Sequence, residues 1–282
     1  MLRFAYGQAD AFAFRWIDSY VDFDEAQALR VREEIGDWFR WHRSTQLAGY
    51  ADLVERFATE ARAATVTPEK VCDGWGEVQR RLDIAVDRAV PAAARLALSL
   101  KPAQLEHLER RYAMANREFR EEFLQRDTAK RREEAIKRAL SRAEWLYGEL
   151  DESQRGRLAS WVGDSPFDPA LALEERQRRQ LDLLRMVRGL VAERASPEQA
   201  EAEVRSYLRR VRPSPGEERQ RLAERIVVHN CRMAADLHNH TSPAQREAFD
   251  RRLAGLAKDL RELAADVASQ PRQATPGREP TD

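Results

Sequence analysis

The segment HNCRMAADLHNH, residues 229–240, contains three of the five histidines of the chain and one of its two cysteines. Imidazole nitrogen and thiolate sulfur are the ligands that zinc prefers in proteins. The first question about function is therefore whether this segment holds a metal ion, because no other stretch of the sequence places metal ligands or nucleophiles so close together.

The segment is predicted to be helical, because apolar residues recur at helical spacing at Leu222, Ile226, Met233 and Leu237. On such a helix, His229 and His240 lie within about 20° of each other, and Cys231 and His238 lie together on roughly the opposite side. The members of these pairs are about 16 Å and 10 Å apart along the helix axis. Two ligands of one zinc ion must lie within about 4 Å of each other, so one helix cannot assemble a site from them.

The motifs of common metal and catalytic sites are also missing from the sequence. It contains no HExxH, no CxxC, no Glu followed three residues later by His, no GxSxG and no glycine-rich phosphate loop. We therefore predict no metal, no cofactor and no enzymatic activity. His229 is interpreted as a core or helix-face histidine. His238 and His240 are interpreted as a polar helix C-terminus, where an imidazolium suits the helix dipole.

The bulk composition excludes several classes of protein. Forty-eight basic residues balance 48 acidic residues over 282 positions, so the clustered positive charge that nucleic acids require is absent and no nucleic-acid partner is predicted. No apolar run approaches the roughly 20 residues of a membrane span. No signal peptide is visible, and composition alone favours a soluble cytosolic protein. Cys72 and Cys231 are either two buried free thiols or, in an oxidising compartment, one long-range disulfide.

One helix-start pattern recurs along the chain. A Ser, Thr or Asp that can cap a helix is usually followed by Pro at the first helical position and by Glu or Gln in the first turn. Lys101 departs from the capping rule. Each copy predicts a helix start, and together with the helix-forming composition they predict an all-α fold, an elongated multi-helix bundle with long helices and short Pro-capped connections. The copies are VTPEKV (66–71), LKPAQL (100–105), LDESQR (150–155), ASPEQA (195–200) and TSPAQR (241–246).

The predicted domain organisation follows from the breaks between helices. Residues 1–209 form a helical domain, 210–219 a candidate hinge in RVRPSPGEER, and 220–268 a C-terminal helical hairpin that packs on the rest. Residues 269–282 lack apolar periodicity and are predicted to be disordered. The pattern from residue 102 onward fits either one long helix or two helices with a break at Asp127–Thr128.

The N-terminal helix, predicted over residues 2–20, carries more aromatic side chains than one buried stripe can hold. We predict that Phe12 and Trp16 form its core face. Phe14 lies about 200° from Phe12 around the helix, so it either binds a partner or is covered by another helix. Aromatic residues off the core stripes are the predicted protein-binding residues: Phe4, Phe14, Phe23, Trp41 and Trp75.

The opening of the chain resembles an uncharacterised family of proteobacterial envelope lipoproteins. The resemblance lies in LRFAYGQADAFAFRWIDSYVDFDEAQ, which carries an L-x-x-A-Y-x-x-x-D segment followed by W-x-D-x-Y-x-D, and in NREFREEFL (116–124) and DLHNHTSPAQREAFDRRLAGLAKDLREL (236–263). It implies a periplasmic protein tethered to a membrane through an N-terminal lipid anchor. The signal peptide and lipidated cysteine of that family are absent from this chain. LKPAQ, LDESQ and TSPAQ are also similar to the L-T-x-x-Q motif of periplasmic chaperones of the Spy and CpxP type.

Two functions remain from this reasoning. The first is a non-catalytic, chaperone-like lipoprotein that binds unfolded polypeptide on an apolar surface. The second is a structural or adaptor protein of the envelope that binds one folded partner. The only membrane contact expected in either case is the lipid anchor.

Overall fold

The computed structural model describes residues 2–63, 65–125, 127–212 and 216–268. These residues form twelve α-helices and no strand, so the prediction of an all-α, multi-helix fold is confirmed. The helices are α1 (Leu2–Gly7), α2 (Ala9–Val21), α3 (Glu25–Thr45), α4 (Leu47–Ala61), α5 (Pro68–Ser99), α6 (Pro102–Phe123), α7 (Thr128–Tyr147), α8 (Glu152–Gly163), α9 (Pro169–Ala192), α10 (Pro197–Val211), α11 (Glu217–Asn239) and α12 (Pro243–Ala268).

All five predicted helix starts are confirmed: they begin α5, α6, α8, α10 and α12. The side chains of Thr67, Asp151 and Ser196 each accept a hydrogen bond from the backbone N–H of the third residue of their helix, which satisfies a donor that the helix itself leaves unpaired. Lys101 has no acceptor in its side chain. Its ammonium group instead pairs with Asp24, the cap of α3, at 2.8 Å.

The structure resolves the question of the long helix, because α6 ends at Phe123 and α7 begins at Thr128. The Asp127 side chain accepts hydrogen bonds from the backbone N–H groups of Ala129 and Lys130, which caps α7. A chain that supplies a new N-cap after an interruption starts a new helix there.

Around the predicted hinge at 210–219, α10 ends at Val211 and α11 begins at Glu217, and both helices pack on α5. Residues 213–215 and the predicted disordered tail, 269–282, lie outside the described residues. The helices α11 and α12 of the predicted C-terminal hairpin have different principal partners: α11 packs on α5 and α8, and α12 packs mainly on α4.

The prediction for the N-terminal helix was wrong about which face is buried. Phe12 and Trp16 are 59% and 66% exposed, whereas Phe14 is only 4% exposed. The centroids of the Phe14 and Phe23 rings are 5.9 Å apart. The guanidinium of Arg32 lies over the Phe14 ring, with its central carbon 3.6 Å from the ring centroid. Another helix, α3, therefore covers the face that carries Phe14.

Two pairs of glutamines join helix starts that are far apart in sequence. In the first pair, Gln27 at the start of α3 and Gln104 at the start of α6 exchange two side-chain hydrogen bonds of 3.1 Å and 2.7 Å. In the second pair, Gln154 of α8 and Gln245 of α12 exchange two of 2.8 Å and 2.9 Å. Each glutamine oxygen also accepts from the backbone N–H of its own cap residue. These amides therefore serve as helix caps and cross-links at once.

The backbone partners of the two pairs are equivalent as well. Each glutamine Nε2 donates to the carbonyl two residues before the cap of its partner's helix, at 2.8–2.9 Å in all four cases. The flanking sequences repeat. Residues 20–31 and 147–158 are identical at five of 12 positions, and 101–113 and 242–254 at seven of 13. The chain thus contains two copies of one helical arrangement.

We call α2, α3, α5 and α6 the first unit, and α7, α8, α11 and α12 the second unit. The packing of α2 on α3, α2 on α6 and α3 on α5 in the first unit recurs as α7 on α8, α7 on α12 and α8 on α11 in the second. The helix inserted in each unit packs on the other unit. In the chain, α4 lies between α3 and α5 of the first unit but packs on α12 of the second, and α9 lies between α8 and α11 of the second unit but packs on α6 of the first. The two units meet where α5 packs on α11, and there a disulfide joins Cys72 to Cys231 with 5.5 Å between their Cα atoms.

Three apolar clusters form the core of the described residues. The largest gathers buried residues of α5, α6, α9 and α10, including Val90, Leu105, Leu190 and Ala200. The others lie between α4 and α12 and around α7, α8 and α11. Among the helices described, none combines the length and apolar character needed to cross a bilayer.

Candidate functional site

The side chains of the His/Cys segment are committed to separate partners. Cys231 is bonded to Cys72, so it carries no thiolate. The Nε2 of His229 lies 2.9 Å from the carbonyl oxygen of Trp161, and the Nδ1 of His240 lies 2.7 Å from that of Asp236. In the described part of the chain, no three His, Cys, Asp or Glu side chains are grouped so that they could hold one ion.

His238 is a buried histidine that bridges helices. Its Nε2 donates to the carbonyl of Ala61 at 2.9 Å, and its Nδ1 accepts from the hydroxyl of Tyr147 at 3.0 Å. Burial lowers the pKa of His238 below its ordinary value and raises the pKa of the Tyr147 hydroxyl. The segment that looked most like a chemical site therefore fastens α11 to its neighbours.

The five residues predicted to bind protein do not form one surface. Phe4 on α1 and Trp75 on α5 are exposed, at 81% and 44%. Phe23 is half-buried against the largest core cluster, and Trp41 is half-buried with its ring 6.0 Å from that of Trp38. Phe14 is buried beneath α3, so of its two predicted alternatives the structure shows the second, coverage by another helix, and the prediction of Phe14 as a protein-binding residue is corrected.

A groove of about 910 Å³ is bounded by α2, α3 and α5. This volume lies within the range of about 300–1,000 Å³ that ligand pockets usually have. Most of the lining is apolar: Ala13 and Ile17 from α2, Val31, Ile35, Trp38 and Phe39 from α3, and Ala89, Pro91, Ala92, Ala93, Leu96 and Leu98 from α5.

Polar contacts hold the walls of the groove at a fixed spacing. At one end, Gln27 of the first glutamine pair donates to the carbonyl of Ser99. At the other, the indole N–H of Trp38 donates to the carbonyl of Ala85 at 3.0 Å. An ion pair between Glu34 of α3 and Arg95 of α5, with a shortest distance of 2.6 Å, links the two rims.

A half-buried aromatic cluster around the buried His42 orients Trp38 within the groove wall. The ring of His42 stacks on Trp38 with centroids 4.8 Å apart and planes 12° apart. Its two nitrogens lie 2.6 Å and 3.3 Å from the hydroxyls of Tyr6 and Tyr50. Burial lowers the pKa of His42 and raises the pKa of Tyr6 to about 12. A neutral imidazole, donating to one hydroxyl and accepting from the other, fits both contacts.

The groove was not predicted from the sequence, although two of its parts carried a signal. Ile35, Trp38 and Phe39 recur at helical spacing in the sequence, but an apolar stripe of this kind usually marks core. The repeat of 20–31 in 147–158 and of 101–113 in 242–254 would have paired α3 with α8 and α6 with α12. It would not have shown that the first unit leaves a groove open.

Comparison with known protein families identifies a match over most of the chain. A model described as "Family of unknown function (DUF6279)" matches residues 19–210, which is more than half of the chain. The matched range begins in α2 and ends in α10, so it includes most of the groove-forming residues. No curated protein matches the chain, and no solved structure does.

Proposed function

The chain belongs to DUF6279, a family of unknown function, and we propose that it binds segments of other polypeptides in the groove between α2, α3 and α5, as a non-catalytic, chaperone-like protein. The observation that carries this proposal is the groove itself: about 910 Å³ of space with a mostly apolar lining and charged rims. Apolar area removed from water on binding contributes roughly 25 cal/mol per Å² before the losses of entropy are subtracted.

The test is suppression of aggregation of a cysteine-free client diluted out of urea. Ala89→Arg places a long charged side chain in the groove wall and is expected to abolish the effect. Leu171→Arg is the matched control, because Leu171 is 43% exposed on α9 and does not line the groove. Equal activity of both variants, or no suppression by the native protein at several-fold molar excess, would contradict the proposal.

A second candidate, binding of one folded envelope protein, is supported by the outer face of α2. Phe12 and Trp16, four residues apart on that helix, are 59% and 66% exposed, and aromatic residues of this kind often anchor protein interfaces. Pull-down from membrane extract distinguishes the two functions. One stoichiometric partner that is lost with Trp16→Ala favours this candidate, whereas many unfolded clients favour the groove.

The proposal includes a periplasmic location with a membrane tether. The Cys72–Cys231 disulfide supports the location, because such bonds persist in oxidising compartments and are rare where thiols are kept reduced. Trapping of free thiols in intact cells tests it. Both cysteines should resist alkylation until a reductant is added, and immediate labelling of both would contradict a periplasmic location.

A further inference from the structure

The repeat gives residues that line the groove an equivalent in the second unit. Counting α3 and α8 from their glutamines pairs Glu34 with Trp161, and counting α5 and α11 back from theirs pairs Arg95 with Asp236. The contacts agree with this alignment. Glu34 and Arg95 form the ion pair across the groove, and the indole N–H of Trp161 donates to Asp236 at 2.9 Å.

In the second unit, the indole of Trp161 stands where the first unit has the side chain of Glu34. It lies between α8 and α11, where its ring meets that of His229 edge to face at 5.2 Å. His229 is the equivalent of Arg88, which lines the groove of the first unit. The indole thus contacts the equivalents of two groove-lining residues, Arg88 and Arg95.

Two further positions are filled by larger side chains in the second unit. Ala92, in the α5 wall, corresponds to Met233, and Val31, in the α3 wall, corresponds to Leu158. Both larger side chains belong to the apolar cluster around α7, α8 and α11. At these positions the second copy of the arrangement thus has larger apolar or aromatic side chains where the first has the lining of the groove.

From this comparison we propose that the groove takes an aromatic anchor, a tryptophan above all, from a helical segment of a partner polypeptide. This inference rests on the proposed function and names the ligand of the same site. Trp38 is an aromatic part of the groove lining, and carboxylates on the α3 rim offer acceptors for an indole N–H. In the second unit the acceptor for Trp161 is also a carboxylate, Asp236, although it lies on α11, the equivalent of α5. Buried aromatic anchors of this kind carry much of the affinity of protein interfaces.

The charges on the rims define the rest of the segment. Beyond Arg30, the α3 rim is acidic, with Glu33, Glu34 and Asp37, and the α5 rim is basic, with Arg88 and Arg95. A complementary helix has basic residues on the flank that meets α3 and acidic residues on the flank that meets α5. The α5 wall runs from Arg88 to Ser99, about 16 Å, so it accommodates about three helical turns.

The experiment uses the full chain with its disulfide intact and a fluorescein-labelled, 14-residue amphipathic helical peptide. This peptide carries one central Trp, Lys along one flank and Glu along the other, and a second peptide has Ala in place of Trp. We expect anisotropy titrations to show binding of the Trp peptide and at least tenfold weaker binding of the Ala peptide. Glu34→Trp reproduces the second unit within the groove and should abolish binding of the Trp peptide.

Ala92→Met, which also copies the second unit, keeps the test decisive if Glu34→Trp does not fold; it should weaken binding at least fivefold. Leu171→Trp, on an exposed site of α9, should bind as the native protein does. Equal affinity for the Trp and Ala peptides, with both blocked by Ala92→Met, would overturn the aromatic anchor and leave the proposed function intact. No binding of either peptide would count against both, and binding unaffected by the groove variants would place the site elsewhere and overturn the inference.

Discussion

Replacing Gln27 by alanine is expected to destabilise the fold far more than the loss of one helix cap. The Gln27 amide accepts from the N–H of Asp24 and from Gln104, and it donates to the carbonyl of Ser99 and back to Gln104. Both glutamines are buried, at 3% and 7% exposure. The polar groups that bond to Gln27 therefore cannot all form replacement hydrogen bonds with water when the amide is removed.

The magnitude follows from the number of contacts removed. A hydrogen bond contributes a net 0.5–1.5 kcal/mol, roughly, and a buried polar group left unpaired costs about 1–3 kcal/mol. Four hydrogen bonds, which are not fully additive, give a loss of about 3 kcal/mol for Gln27→Ala. At about 2–4 °C per kcal/mol for a protein of this size, the melting temperature should fall by roughly 6–12 °C.

Gln199 provides the matched control. It occupies the same position in the capping box of α10, where it accepts from the N–H of Ser196, but it is exposed, and within the described ranges no glutamine is paired with it. Gln199→Ala should therefore cost only about 1 kcal/mol, as expected for part of a helix cap. Urea unfolding followed by circular dichroism measures both variants under the same conditions.

A double-mutant cycle tests the pairing itself. Gln104→Ala added to Gln27→Ala should cost about 1–3 kcal/mol less than Gln104→Ala alone, because its partner is already gone. Gln154→Ala, in the other pair, should add to Gln27→Ala within about 0.5 kcal/mol, since the two share no partner. Additive losses at Gln27 and Gln104, or equal losses for Gln27→Ala and Gln199→Ala, would refute the argument that these amides cross-link the helices.

Three further predictions concern stability. Replacing Cys72 and Cys231 together by serine should lower the free energy of unfolding by up to about 5 kcal/mol, because their bond closes a loop across 159 residues of sequence; an unchanged urea midpoint would contradict this. Phe14→Ala should cost about 3–5 kcal/mol and Phe12→Ala under about 1 kcal/mol, since the first is buried and the second exposed; equal melting curves would show that the burial of Phe14 is not what stabilises α2. Burial lowers the pKa of His238 below its ordinary value of 6.5, so only the unfolded chain gains its proton as pH falls below 6.5, and stability should drop there by up to about 1.4 kcal/mol per pH unit. Urea midpoints at pH 7.5 and 5.5 measure this, and His238→Gln should reduce the slope; an unchanged slope would contradict the assignment.

The sequence by itself determined the local structure of this protein. Capping residues, prolines at first helical positions and apolar periodicity act within one or two turns, so they identify helix starts such as Pro102 and Pro243 without knowledge of the neighbours. The same short range explains why the sequence alone shows that one helix cannot bring the His and Cys side chains of residues 229–240 to a single ion. A helix fixes the spacing of its own side chains, and that spacing was too wide.

Only the tertiary structure decided which faces are buried and where the open groove lies. Phe12, Phe14 and Trp16 are all large aromatic residues, so the sequence does not distinguish the buried one from the exposed ones. Arg32 and Phe23 contact Phe14 only because α3 packs back along α2. The disulfide and the two glutamine pairs join residues 159, 77 and 91 positions apart. Such contacts depend on the packing of whole helices, because the free energy that selects them comes from surfaces that meet only when the chain is folded.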